Sequence, residues 1–91
     1  MPKTWTLYIL TCADGTLYTG ITVDLERRLE EHNAGKGARY TRARLPVSLA
    51  FSTPCDSHTH AAKLEYRVKA LPRKEKLAII KAGLLPQKLI P

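Results

Sequence analysis

The tripeptide Ala13-Asp14-Gly15 lies between two runs rich in Tyr, Ile, Leu and Thr, residues 5–12 and 16–21. Two such runs around a short, glycine-ended loop predict a β-hairpin. A three-residue loop pairs a type I turn with a left-handed closing residue, which glycine adopts without strain. That loop length fixes the register: Cys12 faces Thr16, Leu10 faces Tyr18 and Tyr8 faces Gly20. Tyr8 and Tyr18 then project from one face, and Gly20 leaves open space opposite the Tyr8 ring. A two-residue Asp14-Gly15 loop would shift the pairing and send the tyrosines to opposite faces. The three-residue loop is the expectation.

After the hairpin, Asp24 is a good N-cap and Gly35 a good stop, which predicts a helix over residues 25–34. Leu25, Arg28, Leu29 and His32 fall in one stripe about 100° wide, while Arg27, Glu30 and Glu31 lie outside it. Of the two neighbouring arginines, only Arg28 should turn toward the domain body. Residues 36–44 form a basic connector, with no Asp or Glu between Glu31 and Asp56. Pro46 opens a third strand over V-S-L-A-F-S. A second helix should begin near Asp56 or Ser57, with Ala61, Leu64, Val68 and Leu71 along its inner stripe and Glu65 at the stripe's edge. Pro72 ends or kinks it, and a last helix runs to about Ala82, stopped by Gly83. The tail L-L-P-Q-K-L-I-P should be extended and packed by its leucines. The expected fold is α+β, a three-stranded antiparallel sheet flanked by helices in the order β-β-α-β-α-α, as a single domain over residues 1–91.

Charge narrows the partners. Fifteen Lys and Arg against eight Asp and Glu give a formal charge of +7, which favours a polyanion. No apolar run approaches the roughly 18–20 residues that span a bilayer, and M-P-K-T-W has no signal-peptide core. Cys12 and Cys55 make no disulfide framework. A cytoplasmic protein with no membrane partner is the expectation. In the connector, Lys36, Arg39, Arg42 and Arg44 suit phosphate contact, with Tyr40 free to stack on a base. Lys69 and the other cations of 63–81 extend that surface; an ordinary solvated loop is the plainer alternative. Cys55, His58 and His60 lack a matching second ligand pair for zinc and read as a polar loop capping a helix.

T-L-Y-I-L, L-Y-T-G-I-T, D-L-E-R-R-L-E-E-H-N-A-G-K-G-A-R-Y-T-R, A-A-K-L-E-Y-R-V-K-A-L and K-E-K-L-A-I-I occur in order over residues 5–82. This set resembles the GIY-YIG nuclease superfamily, specifically its small stand-alone bacterial members. The resemblance makes Tyr8 the tyrosine of the first motif, Tyr18 that of the second, Arg28 the catalytic arginine and Glu65 the single metal-binding glutamate. His32 falls where relatives carry His or Tyr. Thr6-Leu7 and Thr19 depart from the motifs at backbone and packing positions. Ile21 stands where some relatives carry a lysine thought to assist the attacking water, so that route is closed here.

The implied activity is a metal-dependent endonuclease on DNA rather than RNA, choosing structure over sequence, in DNA repair or recombination. Targeting would come from the domain itself or from a partner protein. Glu65 would hold one Mg²⁺ or Mn²⁺, and Arg28 would clamp the scissile phosphate. Tyr18 would take the proton of the attacking water, with Tyr8 and His32 orienting the water or relaying the proton. A free phenol is ionised in only about one molecule in a thousand at pH 7. Histidine is intrinsically the better base, so His32 is a rival for that role. The competing function is a non-catalytic DNA- or RNA-binding module. In that reading the tyrosines and His32 pack, Arg28 pairs with an acidic neighbour, and Glu65 with Lys69 is a surface ion pair.

Overall fold

The computed structural model describes residues 4–91; the first three residues of the domain expected over 1–91, including the start of M-P-K-T-W, lie outside the described residues. Strands β1 (Thr6–Thr11) and β2 (Leu17–Thr22) form the hairpin. Strand β3 (Ser48–Pro54) pairs with the other edge of β1, giving an antiparallel sheet of order β2-β1-β3. The register is the expected one, with Tyr8 opposite Gly20 and Leu10 opposite Tyr18. Cys12 N–H donates to the Thr16 carbonyl at 2.8 Å, and Gly15 closes the loop at φ 83°. Asp14 Oδ1 braces the turn by accepting from the Thr16 N–H at 3.0 Å and the Thr16 hydroxyl at 2.6 Å.

Helix α1 (Leu25–Asn33) starts where the Asp24 carboxylate accepts from the Arg27 N–H at 3.2 Å. Ser57 does the same for α3 (His58–Lys69), accepting from the His60 N–H at 3.1 Å. After Pro72 comes α4 (Arg73–Ala82), ended by Gly83. Two details differ from expectation. The basic connector holds a short helix, α2 (Arg39–Arg42), and the tail folds into a 3-10 turn over Gln87–Leu89 instead of running extended. The turn swings Leu89 into the core, a gain in apolar burial that an extended tail would forgo.

Alternation along β1 divides the interior in two. Leu7 and Ile9 join Phe51, Ala61, Leu64, Val68 and Ile79 in the core under α3 and α4. Tyr8, Leu10 and Cys12 join Val47 in a smaller core, with Tyr18, Leu25 and Leu29 packed against it. Tyr8 and Tyr18 therefore belong to the α1 side, and α3 covers the opposite face. Among the described residues no helix is long and apolar enough to cross a membrane.

The end of α1 is tied to the entry of β3 by one side chain. Asn33 Nδ2 donates to the Val47 carbonyl at 3.0 Å, and Asn33 Oδ1 accepts from the Val47 N–H at 2.7 Å. Val47 is buried, so Asn33→Ala leaves two of its backbone groups without a protein partner. The expected loss is roughly 1–3 kcal/mol in urea unfolding. A loss below about 0.5 kcal/mol would mean that water replaces both bonds.

Candidate active site

Tyr8 occupies the centre of β1 and is 1% exposed. Its ring needs the missing side chain of Gly20: a Cβ there would lie 2.5 Å from the Tyr8 hydroxyl and 3.2 Å from the Tyr18 ring. The hydroxyl meets His32 Nε2 at 3.0 Å. His32 is itself fully buried, and its Nδ1 lies 2.9 Å from Thr41 Oγ1. One end of α1 is thereby hydrogen-bonded to the middle strand on one side and to α2 on the other.

The remaining residues singled out in the sequence gather around this pair. The Tyr18 ring centroid is 6.4 Å from that of Tyr8 and 5.4 Å from that of His32. Arg28 is 31% exposed where Arg27 is 72% exposed, and its guanidinium is close enough to act on the Tyr8 phenol. Its Nη1 reaches Glu31 Oε1 at 3.4 Å, so the acidic-neighbour pairing is present. Glu65 comes from α3 on the other face and reaches round the edge strand β2. Its carboxylate pairs with Lys69 Nζ at 3.2 Å, and that ammonium lies 5.8 Å from the centre of the Tyr18 ring. Glu65 is close enough for its charge to act on Tyr8.

Burial pushes the Tyr8 phenol above its ordinary pKa, and the nearby Arg28 guanidinium pulls the other way. Burial lowers the pKa of His32, with the nearby Arg28 charge adding to the effect. His32 is thus held as a neutral imidazole with no route to solvent of its own. The neighbours at hydrogen-bond distance from its ring are Tyr8 at Nε2 and Thr41 at Nδ1.

The basic connector also departs from expectation. Lys36, Arg39 and Arg42 are exposed and free to face a polyanion. Arg44 is not: Nε lies 3.1 Å from Asp14 Oδ2, Nη1 donates to the Tyr40 carbonyl at 2.8 Å, and the guanidinium sits 3.9 Å from the Tyr40 ring centre. Tyr40 in turn stacks on Tyr18, centroids 6.1 Å apart at 25°. Tyr40 is therefore a brace for Tyr18 and not a ring standing free for a base. The zinc-like residues are dispersed into local structure. Cys55 is buried in the core, His58 packs edge-on to Trp5 at 4.7 Å, and His60 Nδ1 accepts from the Asp56 N–H at 2.8 Å.

A family model described as the GIY-YIG catalytic domain matches residues 4–78. The chain belongs to the GIY-YIG family. Among proteins of this family it is 51% identical over 80 residues to UPF0213 protein DP2720 of Desulfotalea psychrophila, covering 87% of this chain and 73% of that one. It is 53% identical over 75 residues to UPF0213 protein SAG0778 of Streptococcus agalactiae, covering 82% of this chain and 85% of the relative. The solution NMR structure of UPF0213 protein BH0048 from Bacillus halodurans shares the fold at 40% identity, with TM-score 0.59 over 94% of this chain and 92% of that one. The solution structure of EF2693 from E. faecalis matches at 40% identity and TM-score 0.61, over 90% of each chain. Membership places the chain in a superfamily of nucleic-acid-binding nucleases.

A histidine buried in its neutral form makes stability depend on pH. Its folded pKa lies below the unfolded value of about 6.5, so its contribution is complete above that value. The contribution is then lost as the pH falls toward the depressed folded pKa. The stability difference between wild type and His32→Gln should therefore narrow as the pH drops from about 7 to 5. Parallel urea-stability curves across that range would contradict the assignment.

Proposed function

We propose that this protein is a metal-dependent endonuclease that hydrolyses phosphodiester bonds in DNA, selecting structure over sequence, with DNA repair or recombination as its setting. The observation that carries the reading is the buried hydrogen bond between Tyr8 and His32, with Arg28, Tyr18 and Glu65 close around it. Packing alone does not require it, because a buried imidazole and a buried phenol would each be replaced at less cost by apolar side chains.

The single carboxylate of Glu65 is 24% exposed, and its partner Lys69 is half exposed, so the ion pair can give way. Among the described residues no group of three potential metal ligands converges. That donor set fits a hydrated hard cation completing its shell with water and substrate phosphate, and does not fit a closed structural site. Glu65 would hold Mg²⁺ or Mn²⁺, whose charge, when bound, stabilises the phosphoryl oxygens.

Arg28 clamps the scissile phosphate with a fixed charge. Tyr8 takes the proton of the attacking water as its own proton passes to His32 Nε2, so a buried phenolate is never needed. The water oxygen bonds to phosphorus, the bond to the leaving oxygen breaks, and that oxygen is protonated from solvent. This moves the base role from Tyr18 to Tyr8, because the hydrogen-bonded acceptor lies behind Tyr8. Tyr18, held by Tyr40, lines the entry and orients the water. Lys36, Arg39 and Arg42 contact backbone phosphates, Lys69 and Arg44 border the site, and targeting comes from the domain or a partner protein.

Labelled duplex, flap, branched and single-stranded substrates with Mg²⁺, Mn²⁺ or EDTA test the reading. Wild type should cut in a metal-dependent way, with affinity that falls steeply with added salt. Glu65→Gln should abolish cleavage and leave binding unchanged or tighter. Arg28→Ala should stop cleavage with a modest loss of binding, while Arg27→Ala should do little. If wild type binds but never cuts, or Glu65→Gln cuts as well as wild type, the protein is a binding module.

A further inference from the structure

Thr41 sits at 0% exposure between the exposed cations Arg39 and Arg42. Its hydroxyl donates to the Ala38 carbonyl at 2.8 Å and lies 2.9 Å from His32 Nδ1. A threonine hydroxyl has one proton to give. With that proton on Ala38, Oγ1 is an acceptor and His32 Nδ1 must carry the ring hydrogen. Nε2 is then a bare lone pair, and the Tyr8 hydroxyl donates to it across 3.0 Å. Arg28, which has donors only, lies near the Tyr8 oxygen and offers its proton no acceptor. Every buried group in the line is satisfied.

The opposite tautomer fails this count. If Nε2 carried the hydrogen it would donate to the Tyr8 oxygen. The Tyr8 proton would then be left, at 1% exposure, without an acceptor among the described residues, a cost of roughly 1–3 kcal/mol. Gly37 lets the segment reach the ring. A Cβ at Gly37 would run into His32 Nδ1, Cγ and Cα, so the chain can pass over the imidazole only where no side chain exists.

We infer that Thr41 is a positioning residue that fixes the His32 tautomer, holding Nε2 open to receive the Tyr8 proton. This rests on the nuclease reading for its consequence, since the tautomer sets the direction in which a proton can travel from Tyr8. The short helix α2 serves the site from its buried side, where the sequence suggested only a phosphate-contacting loop.

The test joins a spectrum to kinetics. Long-range ¹H–¹⁵N spectra of wild type should show His32 protonated at Nδ1, whether or not the protein cuts any substrate. Thr41→Val keeps the shape and removes the acceptor, and should move the ring hydrogen to Nε2. In a cutting enzyme it should lower kcat at least about tenfold, the scale on which loss of a histidine-orienting partner is felt, with KM unchanged. Thr41→Ser should restore both tautomer and kcat. Protonation of wild-type His32 at Nε2 would overturn the inference, and so would a Thr41→Val protein with unchanged tautomer or unchanged kcat. Should Thr41→Val fail to fold, the wild-type and Thr41→Ser spectra still decide. Absence of cleavage by wild type would sink the nuclease reading and leave the tautomer result standing.

Discussion

The Tyr8 hydroxyl and His32 Nε2 lie 3.0 Å apart between two buried residues, and the surrounding structure is organised to make that contact tolerable. Burying a phenol and an imidazole is unfavourable unless each polar atom is paired. The pairing draws on three elements: Tyr8 from β1, His32 from α1 and Thr41 from α2. Two glycines make room, Gly20 beneath the Tyr8 ring and Gly37 against the imidazole. A network this complete is rigid, since no member can move without leaving a neighbour unsatisfied. Rigidity is what proton handling asks of a scaffold.

Around that fixed centre the two faces of the sheet divide the work. The α1 side supplies the tyrosines, the arginine and the histidine. The α3 side supplies the large apolar core and, at the margin of β2, the carboxylate of Glu65 with its Lys69 partner. Placing β2 at the sheet's edge is what lets residues from opposite faces meet. A second chain of contacts, Asp14 to Arg44 to Tyr40 to Tyr18, ties the hairpin turn to the site's rim. The positive charge left free on Lys36, Arg39 and Arg42 then lies on segments adjoining the reactive groups.

Much of this was legible in the sequence where local rules decide. Gly15 sets the loop, the loop sets the register, and the register places Tyr8 and Tyr18 on one face opposite Gly20. The phase of α1 separates Arg28 from Arg27 because helical geometry is indifferent to what it packs on. The misses lie where partners are distant in the chain. A four-residue helix such as α2 has too little periodicity to announce itself, and its cations masked one buried threonine. Tyr40 and Arg44 read as nucleic-acid contacts because Asp14, the residue that holds Arg44, precedes it by a strand and two helices. Likewise, Leu89 gave no sign that a turn would carry it into the core. An uncharged Thr among arginines, beside a glycine that follows a histidine, was the one available signal for Thr41.

The proposed chemistry depends on Tyr8 exchanging a proton with His32 at the reacting phosphate. Removing its hydroxyl alone, as Tyr8→Phe, preserves the ring that fills the space at Gly20 and leaves the fold's apolar contacts in place. Single-turnover cleavage of a substrate that wild type cuts, measured beside Tyr18→Phe and alongside binding by both variants, isolates that oxygen. The expected result is a loss of about 100-fold or more for Tyr8→Phe, with affinity unchanged and a smaller loss for Tyr18→Phe. A Tyr8→Phe protein that cuts at the wild-type rate, or a loss confined to Tyr18→Phe, would contradict it.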